Sequence, residues 1–409
     1  MVNFLGTILD IRNVKIETFW VETDEEKERP YFWKYWMKLP KRGQIGIFFG
    51  AWYTKLMNDY IKGDVNEVEF QYKLTRIVNF EKMLADDGAV IVKLWVHFSK
   101  DEQMKKLKKL SKEKKLTDEA KKRAFWNYEN YKKIIDCAEK TIRFTDRAES
   151  RWYLIEAKDK QFRELKAVQI IYEHLKNLNL VLAKEQINIP VKHFPNPILE
   201  KLDLNKSVKE STYNKKMDEY RERINELMWK AYRNKISTIL VFEGWDAAGK
   251  GGAIRRLASA MDIRLLRVMS VSAPNEEERS YHYLWRFWKY IPMYGFTTIF
   301  DRSWYGRVLV ECVEKFATYQ EIERSYEEIV DFENNLVSSN VVVIKFWLHI
   351  DKEEQLKRFK EREQTEWKNY KITEEDWRNR EKWDKYMMAA NDMIFRTSSK
   401  DCPWFISGS

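Results

Sequence analysis

The chain repeats itself. The stretch "YFWKYWMKLPKRGQIGIFFGAWY" (Tyr31 to Tyr53) returns as "YLWRFWKYIPMYGFTTIFDRSWY" (Tyr283 to Tyr305), and 283 − 31 gives an offset of 252. "KLWVHFSKDEQMKK" (Lys93 to Lys106) returns as "KFWLHIDKEEQLKR" (Lys345 to Arg358) at the same offset. Two copies of one domain follow, and 409 residues give each copy enough chain to bury its own core. The stretch "INIPVKHFPNPILEKLDLN" (Ile187 to Asn205) carries Pro190, Pro195 and Pro197, which break helices. The reading is a first copy over 1–190, a linker over 191–206 and a second copy over 207–409.

Within the second copy, Met217, Tyr220, Ile224, Leu227, Met228 and Ala231 recur at helical spacing and predict a long helix. "STILVFE" (Ser237 to Glu243) follows as a β-rich apolar run of the kind buried in a parallel sheet. "TTIF" (Thr297 to Phe300) and "VVVIKFWLHI" (Val341 to Ile350) read as further core strands, with "EIERSYEEIVDFENNLV" as the helix between them. Strand alternating with helix predicts an α/β fold, a parallel sheet covered on both faces.

Between the first of these strands and a helix over "AIRRLASAMD" lies "GWDAAGKGG" (Gly244 to Gly252). Its spacing is that of a phosphate-gripping loop, in which glycines let backbone N–H groups crowd an anion at a helix N-terminus. Gly244, Gly249, Gly251 and Gly252 supply the permissive backbone and Lys250 a point charge. Gly251 stands where such loops carry a magnesium-binding hydroxyl, and Asp246 lies inside the loop instead. Asp301 follows a core strand and so belongs at the same carboxyl edge of the sheet. Asp246 and Asp301 are therefore candidate magnesium ligands, and Asp246 a candidate for orienting an attacking group. The plainer reading of each aspartate is a helix or turn cap.

Cations surround this core: Arg255, Arg256, Arg279, Arg286, Lys289, Arg302 and Arg307. Arg302 and Arg307 flank the Asp301 turn, and a guanidinium fork matches phosphate oxygens. The segment from Lys357 to Tyr386 is charged, aromatic and poor in aliphatics; it reads either as an exposed helical pair or as a lid, in which Arg358, Arg362, Lys371, Arg378 and Arg380 close over a transfer site. Trp367, Trp377 and Trp383 either stack on a base or pack that lid. His349 has a first-copy counterpart, His97, which favours a structural role, and no His and Cys metal cluster stands out. The copies are unequal: Phe49, Gly50 and Ala51 stand where the second has Asp301, Arg302 and Ser303, and the first copy starts too late to hold a strand, loop and helix unit of its own. The chemistry is expected in the second copy alone.

"GWDAAGKGG", "FDRSWYGR" and "KEREQTEWKNYKITEEDWRNREKWDKY" together resemble the polyphosphate kinase type 2 family, a branch of P-loop kinases. The two-copy layout with "GIFFGAWY" in the first half is similar to its fused class II members, the polyphosphate:AMP phosphotransferases. The resemblance implies a P-loop kinase-like three-layer fold in two tandem copies with a helical lid over about 357–386. It also implies transfer from inorganic polyphosphate to AMP, giving ADP, with magnesium. It lends Asp246 and Asp301 metal and acceptor roles, and Lys250 and Arg302 a catalytic grip on phosphates. Phosphate contacts are expected from Gly244, Gly249, Gly251, Gly252, Arg286, Arg307, Arg358 and Arg362. The sequence departs from the fused pattern at both ends: the first copy starts after its own loop would lie, and the second stops at "DCPWFISGS" without the helix that "KDKQFRELKAVQIIYEHLKNL" gives the first.

Charge and cysteine content bound the remaining possibilities. A net charge of +10 suits a polyanionic partner. Cys137, Cys312 and Cys402 lie far apart without zinc or disulfide spacing, no apolar run reaches membrane length, and the N-terminus lacks a signal-peptide pattern, so a cytoplasmic protein is expected. Neither nucleic acid nor membrane is an expected partner, and a homo-oligomer is compatible with the family. Two other readings remain open at this level: an ATP-dependent nucleoside-monophosphate kinase, and an inactive polyphosphate-binding protein.

Overall fold

In the computed structural model, which describes residues 2–110, 118–177, 197–364 and 374–408, the chain divides into two compact units. The first comprises Met1–Val21 with Lys38–Glu185, and the second Glu22–Met37 with Gln186–Ser409. The units do not coincide with the repeats. Residues 22–37 belong to the first copy by sequence but count with the second unit, where Trp36 stacks on Trp288, its own counterpart at offset 252, with centroids 6.0 Å apart and planes at 18°. Tyr294 N–H donates to Glu28 O at 2.9 Å and Lys235 pairs with Glu28 at 2.7 Å in the same unit.

The first unit holds two parallel strand pairs: β1 (Val14–Thr18) with β2 (Ile45–Phe49), and β3 (Lys93–His97) with β4 (Trp152–Glu156). Helix α1 (Glu67–Asp86) supplies Leu74, Ile77 and Phe80 to the core, and α2 (Lys160–Lys176) packs Ala167 and Ile170 against Ile155 of β4. Among the described residues no strand joins the two pairs.

In the second unit that junction is filled. β5 (Ser237–Gly244), β6 (Leu266–Ser270), β7 (Thr297–Asp301), β8 (Val341–His349) and β9 (Trp404–Gly408) form one wholly parallel sheet in the order β6-β7-β5-β8-β9. At offset 252, β6 and β7 correspond to β1 and β2, and β8 and β9 to β3 and β4. β5 is central and nearly all buried, as an apolar run flanked on both sides requires. Its core partners are Ile254 of α4 (Lys250–Ala258) and Ile299 of β7; α3 (Glu210–Arg233) leads into the sheet as the long helix the apolar stripe predicts. α5 (Tyr319–Val337), opened by a Thr318 and Glu321 capping box, buries Ile322, Tyr326, Ile329 and Phe332. β6 and β9 are additions to the three strands expected from sequence.

The carboxyl end of β8 feeds α6 (Lys352–Glu363), capped by Asp351, and α7 (Glu374–Glu381) and α8 (Trp383–Thr397) follow. Residues 191–196 of the linker and 365–373 of the lid, including Trp367 and Lys371, lie outside the described residues. The described part of the linker is docked: the N–H groups of Ile198 and Leu199 both donate to Asn391 Oδ1 of α8 at 3.0 Å. Among the described residues no helix is long and apolar enough to cross a membrane.

Candidate functional site

The phosphate-type loop leaves the central strand at Gly244. Here φ is +144°, and a Cβ would lie 2.3 Å from Leu348 O of β8, so glycine is required where the two strands crowd together. The loop turns through Ala247 at φ 64° and Gly249 at φ 93° before α4 begins at Lys250. No neighbouring atom lies within 4 Å of a Cβ built at Gly251, so its missing hydroxyl is not imposed by lack of space.

Lys250 folds back over the loop, its Nζ donating to Gly244 O at 2.7 Å and Trp245 O at 2.9 Å. Burial pulls its ammonium below the usual lysine range, while Asp246, Glu243 and Asp301 oppose that shift by their charge and Arg302 adds to it. The loop lysine, both aspartates and Arg302 therefore share one electrostatic neighbourhood, as their positions in the sequence predict.

β7 runs beside β5 with Asp301 in register with Phe242, which brings the Asp301 turn to the loop's edge of the sheet. Arg302 N–H donates to Phe242 O at 3.0 Å, and Ser303 Oγ donates to Glu243 Oε1 at 2.8 Å with both side chains buried. Burial pushes the Glu243 carboxyl up, against the pull of that hydrogen bond. Arg302 sits at φ 63°, a left-handed conformation costly for a residue with a Cβ, and its Nη2 donates to Asp246 Oδ1 at 3.1 Å.

The lid covers the loop from the other side. Arg358 Nη1 donates to Ala247 O at 3.0 Å and Gln355 Nε2 to Asp246 O at 3.1 Å, both from α6. From α7, Asn379 Nδ2 donates to Asp246 Oδ2 at 3.0 Å, so the Asp246 carboxylate is held by Arg302 on one oxygen and the lid on the other. Trp383 stacks on Trp245 with centroids 3.6 Å apart, and Trp377 packs edge-on against Phe359. Both described lid tryptophans are thus engaged within the protein. His349 Nδ1 accepts from the indole N–H groups of Trp245 and Trp347 at 3.1 and 3.3 Å.

The remaining predicted cations are placed differently. Arg307 is largely buried, pairs with Glu311 at 2.6 Å and Glu321 at 3.5 Å, and lies over the Tyr283 ring. Arg286 pairs with Glu278 at 3.2 Å and lines a cavity of about 190 Å³ with Ser270, Asn275 and Tyr290. Arg362 lies half-buried on α6, and Gly252 in the first turn of α4.

Sequence reasoning missed Glu243, Gln355 and Asn379. Glu243 carried a signal, a carboxylate ending an otherwise apolar buried strand. Gln355 and Asn379 carried none, since they meet the loop across more than a hundred residues of chain.

Among the described residues no group of three or more His, Cys, Asp or Glu could hold a metal ion. The two carboxylates, Asp246 and Asp301, nonetheless fit magnesium bound together with a phosphate substrate, because that ion keeps several waters and uses one or two carboxylates.

A family model for polyphosphate kinase 2 matches residues 2–181 and 207–409. The polyphosphate:AMP phosphotransferase of Pseudomonas aeruginosa is 40% identical over 98% of this chain and 82% of its own length. That of Acinetobacter johnsonii is 35% identical over 93% and 78%. A crystal structure described as a polyphosphate kinase 2 from Pseudomonas aeruginosa superposes with a TM-score of 0.86 at 39% identity, covering 100% of this chain and 82% of that one.

Proposed function

The chain belongs to the polyphosphate kinase 2 family, matched over both repeats, and from that premise we propose that its second repeat transfers a phosphoryl group from inorganic polyphosphate to AMP, giving ADP. The observation that carries this reading is the meeting of Asp246, Lys250 and Arg302 at one sheet edge, with Asp301 in register beside them. The activity named for the two relatives supports the choice of donor and acceptor.

In this reading the backbone N–H groups of the loop and the N-terminus of α4 cradle the donor phosphates, with Gly244, Gly249, Gly251 and Gly252 keeping the approach open. Lys250 exchanges its contacts with the Gly244 and Trp245 carbonyls for phosphate oxygens. Asp246 and Asp301 hold magnesium, which when bound neutralises charge on the transferring group. Asp246 also orients the AMP phosphate as it attacks, and Arg302, released from Asp246, binds the reacting oxygens. Arg358 and Arg362 close from the lid and exclude water. Arg286 and Arg307 reach phosphate only by exchanging their carboxylate partners. The reaction is placed in the cytoplasm, with neither membrane nor nucleic acid as partner.

Donor preference tests this directly. ADP formed by the purified chain from AMP, magnesium and polyphosphate, with little from AMP and ATP beyond background, is the expected result. Transfer from ATP with none from polyphosphate would overturn it in favour of a nucleoside-monophosphate kinase.

A further inference from the structure

The first repeat keeps four of the lid's ten cations in place, gains eight others and retains one of the lid's eight carboxylates. Residues 105–133 correspond to 357–385; they hold twelve basic and four acidic residues, a net +8, against ten and eight, a net +2, in the second repeat. Among the described positions Lys109, Lys122, Arg123 and Lys132 stand where the second repeat has Glu361, Glu374, Glu375 and Asp384. This one segment thus carries most of the chain's excess of +10.

The described charges lie on three consecutive helices. Two helices, Lys100–Leu110 and Asp118–Glu129, pack on one another, and a third, Tyr131–Thr145, follows directly. Lys105, Lys109, Lys122, Lys132 and Lys133 are exposed and make no ion pair among the described residues. In the second repeat the corresponding surface is neutralised: Lys357 and Arg358 pair with Glu354, and Arg378 and Lys382 with Glu314. Like charges gathered in excess of their counter-charges repel one another, and an anion relieves that repulsion.

Several rings nearby are already covered by cations. Arg123 lies 3.1 Å over Trp20, Lys106 3.3 Å over Phe98 and Lys100 5.4 Å over Tyr128. Phe125 on the second helix stays exposed, but the surface offers mainly compact ammonium charges, which favours a polyanion without bases over nucleic acid.

We propose that this surface is a second, non-catalytic binding site for inorganic polyphosphate, holding stretches of a long donor chain away from the site of transfer. The inference rests on polyphosphate being the donor. A chain long enough to reach both places stays at high effective concentration near the loop after each transfer, whereas a short chain gains nothing.

The triple variant Lys109→Glu, Lys122→Glu, Lys132→Glu gives the segment the net +2 of its counterpart and leaves Arg123 on Trp20. With polyphosphate of about a hundred units at low salt, KM is expected to rise about ten-fold or more, with kcat and the KM for AMP unchanged and the difference shrinking as salt screens it. With chains of only a few phosphates the variant should match the wild type. An unchanged KM for long chains, or an equal loss with short ones, would overturn the proposal. Anisotropy of fluorescein-labelled long polyphosphate reads the surface independently of turnover, so it remains informative even if the wild type forms no ADP. Tight binding by the wild type and weak binding by the variant is expected there, and displacement of the label by RNA at equal phosphate concentration would overturn the choice of ligand. Unchanged circular dichroism and melting temperature separate these outcomes from misfolding.

Discussion

The two repeats share a buried charge network and differ at the turn that the network supports. In the first, Lys93 Nζ meets Glu81 at 2.7 Å and Thr145 O at 2.8 Å, and Glu81 accepts from Tyr53 at 2.7 Å and Trp52 at 2.8 Å. In the second, Lys345 meets Glu333 at 2.7 Å and Thr397 O at 2.9 Å, and Glu333 accepts from Tyr305 at 2.6 Å and Trp304 at 3.1 Å. Every member lies at offset 252 from its counterpart. A buried, charged cluster beside a proposed active site would ordinarily invite a catalytic role. Its presence in the repeat that has Phe49, Gly50 and Ala51 shows that the network does not depend on Asp301, Arg302 and Ser303. It fixes the two residues after the turn to the sheet whether or not the turn has chemistry to perform.

The turn itself keeps one backbone shape in both repeats. Gly50 has φ 71° and Arg302, at the same position, φ 63°. The first repeat uses the residue for which this conformation is free, whereas the second places an arginine there and accepts the strain. The Arg302 side chain reaches Asp246, a contact that glycine at this position could not make.

Two experiments press on this comparison. Glu81→Ala and Glu333→Ala each leave a lysine buried without its counter-charge, and each should cost about 3–5 kcal/mol in urea unfolding. Near-equal losses would support a common structural role, while a small loss for one alone would break the equivalence. Arg302→Gly relieves the left-handed strain and should raise stability by about 1 kcal/mol, with ADP formation falling about a hundred-fold or more. A destabilised Arg302→Gly protein would show that the Asp246 ion pair outweighs the backbone strain.

Much of this was legible in the sequence because repetition makes it so. The offset identifies equivalent positions without any contact, and the apolar run of β5, the glycine loop and Asp301 after its strand point to the edge of the sheet where they meet. The short strands β6 and β9 were not legible, since five residues with an ordinary burial pattern carry little signal. Nor was the placing of residues 22–37, which depends on contacts such as Glu28 with Lys235, more than two hundred residues away. From sequence the lid segment reads equally as a cover or as an exposed helical pair, because the contacts of Arg358, Gln355 and Asn379 with the loop leave no local pattern.

The central claim is that the chemistry resides in the second repeat alone, at the edge where Asp246 and Asp301 meet the loop. It is tested most directly by ADP formation from AMP, polyphosphate and magnesium in the wild type and in Asp301→Ala, with folding checked by circular dichroism. The account predicts a loss of about a thousand-fold in kcat in a protein that remains folded. A folded Asp301→Ala chain that keeps a tenth or more of the wild-type rate would contradict it.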